Sequence, residues 1–310
     1  MSTAWSTGAI PDQTGRVVII TGASSGLGFE AARVLVAKGA HVVLACRNPM
    51  KAVEAERRLR AEKDHAAVEV MALDVSRMAS VRAFAERFRA RHKRLDALCN
   101  NAGVMALPHE LTDEGLEVQM ATNHFGPFAL TGLLIDLLAA SGPSRVVNVS
   151  SALHRVGGDR FEALMAGPHN PWIVYGQSKL ANLLFTAELD RRLRAKGLDV
   201  RAVACHPGYA DTGLQTAAAN GGATPGYSET VARVINRLFA QPAAVGAWPT
   251  LYALTAPDAR GGDFIGPGWT AGKPGPPRKE QPSRAARDPG LARRLWSMSV
   301  RTTRVDFAGL

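Results

Sequence analysis

Cysteine is scarce in this chain, with three in 310 residues and no two of them close together. Cys46, Cys99 and Cys205 each stand at the end of an apolar run, so they read as reduced core thiols on strands. An odd count with no CxxC and no metal-ligand spacing excludes a disulfide framework and a structural zinc site. Long apolar runs are missing as well: no stretch of eighteen apolar residues occurs, and nothing is expected to span a bilayer. The N-terminal MSTAWSTGAIPDQTG has no basic start followed by an apolar core, so no secretory signal is expected. Together these absences point to a cytoplasmic protein.

Acid is the charge in short supply. The chain has 37 Lys and Arg against 27 Asp and Glu, and a formal net charge of +10. Between Lys273 and Leu310 nine basic residues face three acidic ones. That tail has no basic helix with interleaved aromatics and no RNA-binding signature, so nucleic acid is not an expected partner. A basic protein does attract a polyanionic ligand such as a dinucleotide phosphate. The remaining composition, 46% hydrophobic and 21% charged, is that of a soluble globular protein with ample core.

What is present is a regular alternation of apolar runs and helical patterns. Residues 16–21 (RVVIIT) read as a buried strand, 22–28 (GASSGLG) as a tight turn and 27–38 as a helix closed by Gly39. Further strands are expected at 41–46, 67–73, 95–99, 145–150 and 198–205, with a short last one near 263–265. Helices are expected at 49–63, from a Ser76 cap to about residue 92, at 113–140, 172–196, 228–239 and 244–255. The Pro- and Gly-rich stretch 266–290 reads as an irregular loop, and 290–298 as a short helix packing back through Leu291, Leu295 and Trp296. Alternation at this interval specifies an α/β fold with a doubly wound parallel sheet. In such a sheet ligands bind at the rim formed by the C-terminal strand ends. Gly22–Gly28, Arg47, Asp74, Asn101, Ser151 and Pro207–Gly208 all follow such ends.

Tyr175 and Lys179, four apart in a helical pattern, share one face. An ammonium beside a phenol favours the phenolate and is expected to lower the tyrosine pKa toward neutrality. That would suit a group exchanging a proton with an alkoxide.

These motifs resemble those of the short-chain dehydrogenase/reductase family: TGASSGLG its TGxxxGxG, NNAG its NNAG, and Ser with Tyr-x-x-x-Lys its active site. The resemblance covers about residues 15–265. LACRN, YGQSKLANLLFTAEL, CHPG and LARRLW are similar to the retinol-dehydrogenase-like branch, and the whole looks closest to its soluble bacterial oxidoreductases. It implies a Rossmann fold over residues 1–270, a substrate lid at about 209–245, and a basic extension, 271–310, packing on the same domain. It implies Ser151, Tyr175, Lys179 and Asn123 as the catalytic set. Ser150 beside Ser151 is an ambiguity, resolved toward the second serine by similar sequences. Cofactor contacts are implied for Gly22, Ser24, Ser25, Gly26, Leu27 and Gly28, for Asp74 and Val75 at the adenine, and for Asn101, Ala102 and Gly103. Tyr175, Lys179, Pro207, Gly208 and Thr212 would lie at the nicotinamide end. Asp74 reads equally as a carboxylate at a helix entrance.

In the turn, Gly22 permits the sharp bend, Gly26 lets backbone approach a pyrophosphate, and Gly28 packs the helix on the sheet. The helix N-terminus would face the phosphates. Strand two ends in Ala45, Cys46 and Arg47 with no acid to hold a ribose 2′-hydroxyl, which favours NADP over NAD, with Arg47 pairing with the 2′-phosphate.

The expected function is NADP(H)-dependent hydride transfer between the nicotinamide and an apolar carbonyl or alcohol. A non-catalytic NADP-binding regulator of the same fold is the alternative. The Gly- and Ala-rich 209–245 segment reads as a mobile lid and names no substrate. His154 and His206 lie near the rim without an evident carboxylate partner and read as structural. Family members pair through helices corresponding to 113–140 and 172–196, so a homodimer or homotetramer is an open expectation.

Overall fold

The computed structural model describes residues 5–156, 158–161, 170–208, 242–270, 273–307 and 310. The substrate-lid segment up to residue 241, Thr212 and the helix expected at 228–239 lie outside the described residues. The apolar runs become strands β1 (Val17–Thr21), β2 (His41–Cys46), β3 (Val68–Ala72), β4 (Ala97–Asn100), β5 (Ser144–Val149), β6 (Val200–Cys205), β7 (Phe264–Thr270) and β8 (Lys273–Lys279). They form one sheet in the order β3-β2-β1-β4-β5-β6-β7-β8, parallel up to β7, with β8 antiparallel at the edge. The order reverses between β1 and β4, where a crevice opens outside the strand ends.

Helices cover both faces, which is why the strands read as unbroken apolar runs. Val18, Ile20, Val42 and Leu44 face a core closed by α1 (Gly26–Ala37), α2 (Pro49–Glu62) and the helix Trp248–Thr255. Ile19, Val43, Leu98 and Val146 face the opposite core, under α3 (Met78–Arg91), α4 (Gly126–Ala140) and α5 (Pro171–Ala195). No helix among the described residues is long and apolar enough to cross a membrane.

Three sequence expectations need correction. The helix from Ser76 begins at Met78 with Arg77 at its cap, because Ser76 turns its hydroxyl back onto Asp74 Oδ1 at 2.6 Å. The expected helix 113–140 begins only at Val118: Gly115 has φ +75° and Leu111 bridges Glu117, so the chain reverses first. Within it, Ala121–Phe125 widens into a π-helix, and α4 follows.

The third correction is the stretch 266–290, which is no irregular loop at its start. β7 and β8 form an antiparallel pair through Pro267, Pro274 and Pro277, with an irregularity at Pro267/Gly268 that leaves Pro276 outside the register. Proline is tolerated there because an edge strand leaves alternate N–H positions without a partner. Beyond it, α6 (Trp248–Thr255) having closed one face, α7 (Pro289–Thr303) closes part of the other. It is five residues longer than expected at its end and packs on α5 through Leu291, Leu295 and Trp296. Trp296 also packs at a tilt on Phe307, with ring centres 4.6 Å apart, and lies under the Arg192 guanidinium at 4.3 Å.

Gly126 shows how tightly α4 is seated: a Cβ there would overlap the carbonyl oxygen of Val75, on the loop after β3. Backbone cannot yield as a flexible side chain does. Gly126→Ala is expected to lower stability by about 1–3 kcal/mol, read from urea unfolding midpoints at unchanged m-value.

Candidate active site

The site is built at the β1–β4 crevice from backbone turns and a few buried polar groups. Thr21 ends β1, and its buried Oγ1 accepts the N–H groups of Asn101 and Ala102 at 3.0 and 2.9 Å. Asn101 Nδ2 donates back to the Thr21 carbonyl at 2.8 Å, tying the ends of β1 and β4 together. Gly22 has φ +68° and a Cβ on it would come within 2.9 Å of Ala102 Cα, so the turn and the NNAG loop touch backbone to backbone. Gly26, at φ +57°, has open space where its Cβ would be. Ser25 precedes α1 without a side-chain bond to the helix, leaving the first-turn N–H groups without that cap. Ser24 and Ser25 are partly or fully exposed at the same rim, while Leu27 and Gly28 are buried beneath it.

Arg47 is exposed just beyond β2, and Gly22 N–H donates to the Ala45 carbonyl at 2.8 Å, so that strand end abuts the glycine turn. Asp74 Oδ1 accepts from both the N–H and hydroxyl of Ser76, at 3.0 and 2.6 Å, which is the helix-entrance arrangement. Val75 is buried against α4.

Deeper in, Lys179 is buried on α5 and donates to the Val149 carbonyl at 3.2 Å, the single acceptor its ammonium has among the described residues. Gly103 passes over it: a Cβ there would lie 3.3 Å from Lys179 Nζ and 3.1 Å from Asn123 Oδ1. Asn123 sits in the π-helix, where the widened turn aims it at the NNAG loop. It accepts from Val104 N–H at 2.8 Å and donates to the Val104 carbonyl and to Ser178 Oγ, both at 2.9 Å. The two neighbouring serines do different things. Ser150 Oγ, buried, donates to the Lys179 carbonyl at 2.8 Å, whereas half-buried Ser151 accepts from Leu153 N–H at 3.2 Å and its hydroxyl acts on the Tyr175 phenol, favouring the phenolate. Pro207 and Gly208 lie half-buried after β6, with Gly208 at φ +70°.

The electrostatics differ from the sequence expectation. Burial pushes the Tyr175 phenol up to about 12, opposed only by the Ser151 hydroxyl, and holds the Lys179 ammonium down at about 8. The ammonium stands 5.5 Å from the phenol ring centre. Desolvation of two groups packed under the sheet rim outweighs their mutual influence.

The two rim histidines also differ. His206 does have a carboxylate partner, Glu280 Oε2, at 3.1 Å, and its Nδ1 accepts from Gly208 N–H at 3.1 Å. Buried His154 contacts the Ser151 carbonyl through Nδ1 at 2.7 Å and accepts from Ser283 N–H through Nε2 at 3.1 Å. Glu280 and Ser283 come from 74 and 129 residues further along the chain, so no local spacing could have revealed them. Thr21 was within reach, since it opens the TGASSGLG motif.

The glycine turn, the uncapped helix start and the buried, under-satisfied lysine converge on one crevice, an arrangement suited to a phosphate-bearing cofactor with ribose hydroxyls. The family model for short chain dehydrogenases matches residues 16–221. The chain belongs to the short chain dehydrogenase family. Within that family it is similar to Retinol dehydrogenase 13 of Homo sapiens, 38% identical over 302 residues that make up 95% of this chain and 87% of that protein. The crystal structure of an uncharacterized protein from Mycobacterium Paratuberculosis shares 40% identity and a TM-score of 0.80, over 98% of this chain and 99% of that one. A short chain dehydrogenase from Shigella flexneri, crystallised as a complex with NADP, shares the fold at a TM-score of 0.62 and 23% identity, covering 82% of this chain and 97% of that one. As a short chain dehydrogenase the chain is an oxidoreductase.

The buried lysine sets a pH signature. Because its folded pKa lies near 8, below the ordinary 10.5, the native state carries fewer protons than the unfolded chain between those values. Stability from this group therefore rises with pH through that window; the raised Tyr175 acts oppositely, above its ordinary 10. In cofactor-free protein, the stability of the wild type relative to Lys179→Met is expected to rise from pH 8 to 10.5. Parallel urea midpoints for the two proteins would show otherwise.

Proposed function

We propose that this short chain dehydrogenase transfers hydride between NADP(H) and an apolar carbonyl or alcohol, with Ser151, Tyr175, Lys179 and Asn123 as the working set. The observation that carries the reading is buried Tyr175 and Lys179 set together with Asn123 under the Gly103 loop, at the crevice where the sheet order reverses. When bound, the nicotinamide cofactor supplies or takes up the hydride.

Each residue then has a definite task. Ser151 receives Leu153 N–H on its oxygen, which leaves its own proton to donate to the substrate oxygen as charge develops there. Tyr175, protonated at neutral pH by burial, donates the proton that completes the alcohol. Lys179 has donor capacity beyond the Val149 carbonyl for ribose hydroxyls. Asn123 holds the loop over that lysine through Val104 and keeps one Oδ1 lone pair for a water linking the ammonium to solvent. Ser150 is committed to the Lys179 carbonyl and has a positioning role.

Around the turn, Gly22, Ser24, Ser25, Gly26, Leu27 and Gly28 hold the pyrophosphate, and Asp74 and Val75 the adenine. Asn101, Ala102 and Gly103 form the floor. Pro207, Gly208 and Thr212 attend the nicotinamide. Arg47, exposed at the end of an acid-free strand, pairs with a 2′-phosphate, so NADP is preferred. The NADP bound by the Shigella flexneri neighbour supports the same choice. An apolar substrate is supported by Leu111, Val156, Trp172 and Ile173, large hydrophobic side chains left exposed on segments that follow the ends of β4 and β5. Retinol is the alcohol named for the 38%-identical human relative, and retinoids belong in the first substrate panel. Residues 1–270 form the catalytic unit in this reading, with 271–310 as its extension, and the three buried free thiols suit the cytoplasm.

Fluorescence titration should show NADPH binding tighter than NADH. Tyr175→Phe should keep that binding while turnover on the responsive carbonyl falls about 10²–10⁴-fold. Normal turnover by this variant would remove Tyr175 from the mechanism, and a wild type that binds NADPH but reduces nothing would favour a non-catalytic regulator.

A further inference from the structure

Two imidazoles flank the centre, and the chemistry proposed above uses neither. Both are held by one short segment that follows β8. The Glu280 N–H donates to the Phe264 carbonyl at 2.7 Å, which fixes that residue's backbone to the sheet. Its carboxylate faces His206 Nε2, whose other nitrogen accepts the Gly208 N–H. Arg155 Nη2 donates to the Gln281 carbonyl at 3.0 Å. The Ser283 N–H donates to His154 Nε2, and His154 Nδ1 contacts the Ser151 carbonyl.

These contacts dictate opposite tautomers. A backbone N–H pointing at a ring nitrogen requires that nitrogen to be unprotonated. His206 therefore carries its proton on Nε2, directed at Glu280, and His154 carries its proton on Nδ1, donated to the Ser151 carbonyl. Space is made for the first pair by Gly266, where a Cβ would overlap the Glu280 carboxylate and lie 2.5 Å from His206 Nε2. The His206 ring further packs at 5.0 Å on Phe264, and His154 packs at 5.5 Å on the same ring. Both imidazoles are thus buried against a single strand residue with every ring nitrogen partnered.

We propose that residues Glu280 to Ser283 form a positioning strap, which fixes the Gly208 N–H through His206 and the Ser151 backbone through His154. The strap sets the two walls of the site at its nicotinamide end from outside the matched family segment, residues 16–221. What those walls enclose rests on the NADP reading; the strap itself does not. None of its members touches the reacting atoms.

The test uses full-length ¹⁵N-labelled protein without and with NADPH. Long-range ¹H–¹⁵N correlation should show His206 as the Nε2–H form and His154 as the Nδ1–H form. Glu280→Ala should speed Gly208 amide exchange and weaken NADPH binding, each about tenfold, with the thermal midpoint little changed. Glu280→Gln should restore most of both, since its amide oxygen accepts the same Nε2–H. Unchanged Gly208 exchange in Glu280→Ala, no rescue by glutamine, or His206 protonated on Nδ1 would each overturn the strap. A wild type that does not bind NADPH would sink the cofactor reading alone, because tautomers and amide exchange are still measured in its absence.

Discussion

The seam between β1 and β4 is the contact on which the site depends. Two parallel strands that are far apart in sequence run side by side there, and everything beyond their ends must be organised by loops. A single buried hydroxyl, Thr21 Oγ1, receives two N–H groups from the NNAG loop, and Asn101 returns a bond to the Thr21 carbonyl. With Thr21 fully buried and Asn101 and Ala102 half-buried, those donors and acceptors would each be costly to leave unpaired. Their mutual satisfaction locks the glycine turn against the loop. Gly22 is required at that point because the two backbones meet with no room for a side chain.

A second polar layer lies below the seam. Val149 at the end of β5 presents its carbonyl to both Lys179 and Asn182, and buried Ser150 is bonded to the Lys179 carbonyl. The π-helix adds Asn123 from the other side, joined to Ser178 on α5. The lysine is thus placed by three elements at once, and its charge is held where desolvation disfavours it. Placement and destabilised charge have the same cause, which is burial. A shell of this kind keeps a buried ammonium rigid.

The C-terminal part supplies what the central sheet cannot. β7 and β8 extend the sheet, and the segment after them returns to the rim beside Ser151 and Gly208. α7 then covers part of α5, and Trp296 on it and Phe307 beyond its end pack against Phe128 and Phe185. The basic excess in this region sits on exposed positions of α7 and the neighbouring turns, such as Arg293 and Arg294, while the apolar face looks inward. Charge there is surface.

By itself the sequence determined the architecture and most of the rim. Unbroken β-branched runs can be stable only as strands covered on both faces, and the residues just after them must then line the ligand edge, so Gly22–Gly28, Asn101, Ser151 and Pro207–Gly208 were legible. The Tyr175–Lys179 pair was legible because helical spacing alone puts both on one face. Tertiary structure decided what depends on distance through space rather than along the chain. It committed Ser150 to the Lys179 carbonyl and left Ser151 to Leu153 N–H, and reversed the expected tyrosine shift, since desolvation is a property of the packed environment. It gave His206 a carboxylate from 74 residues away and turned a proline-rich stretch into an edge hairpin. No periodicity records such pairings, because each is made by backbone geometry that exists only once the sheet has closed.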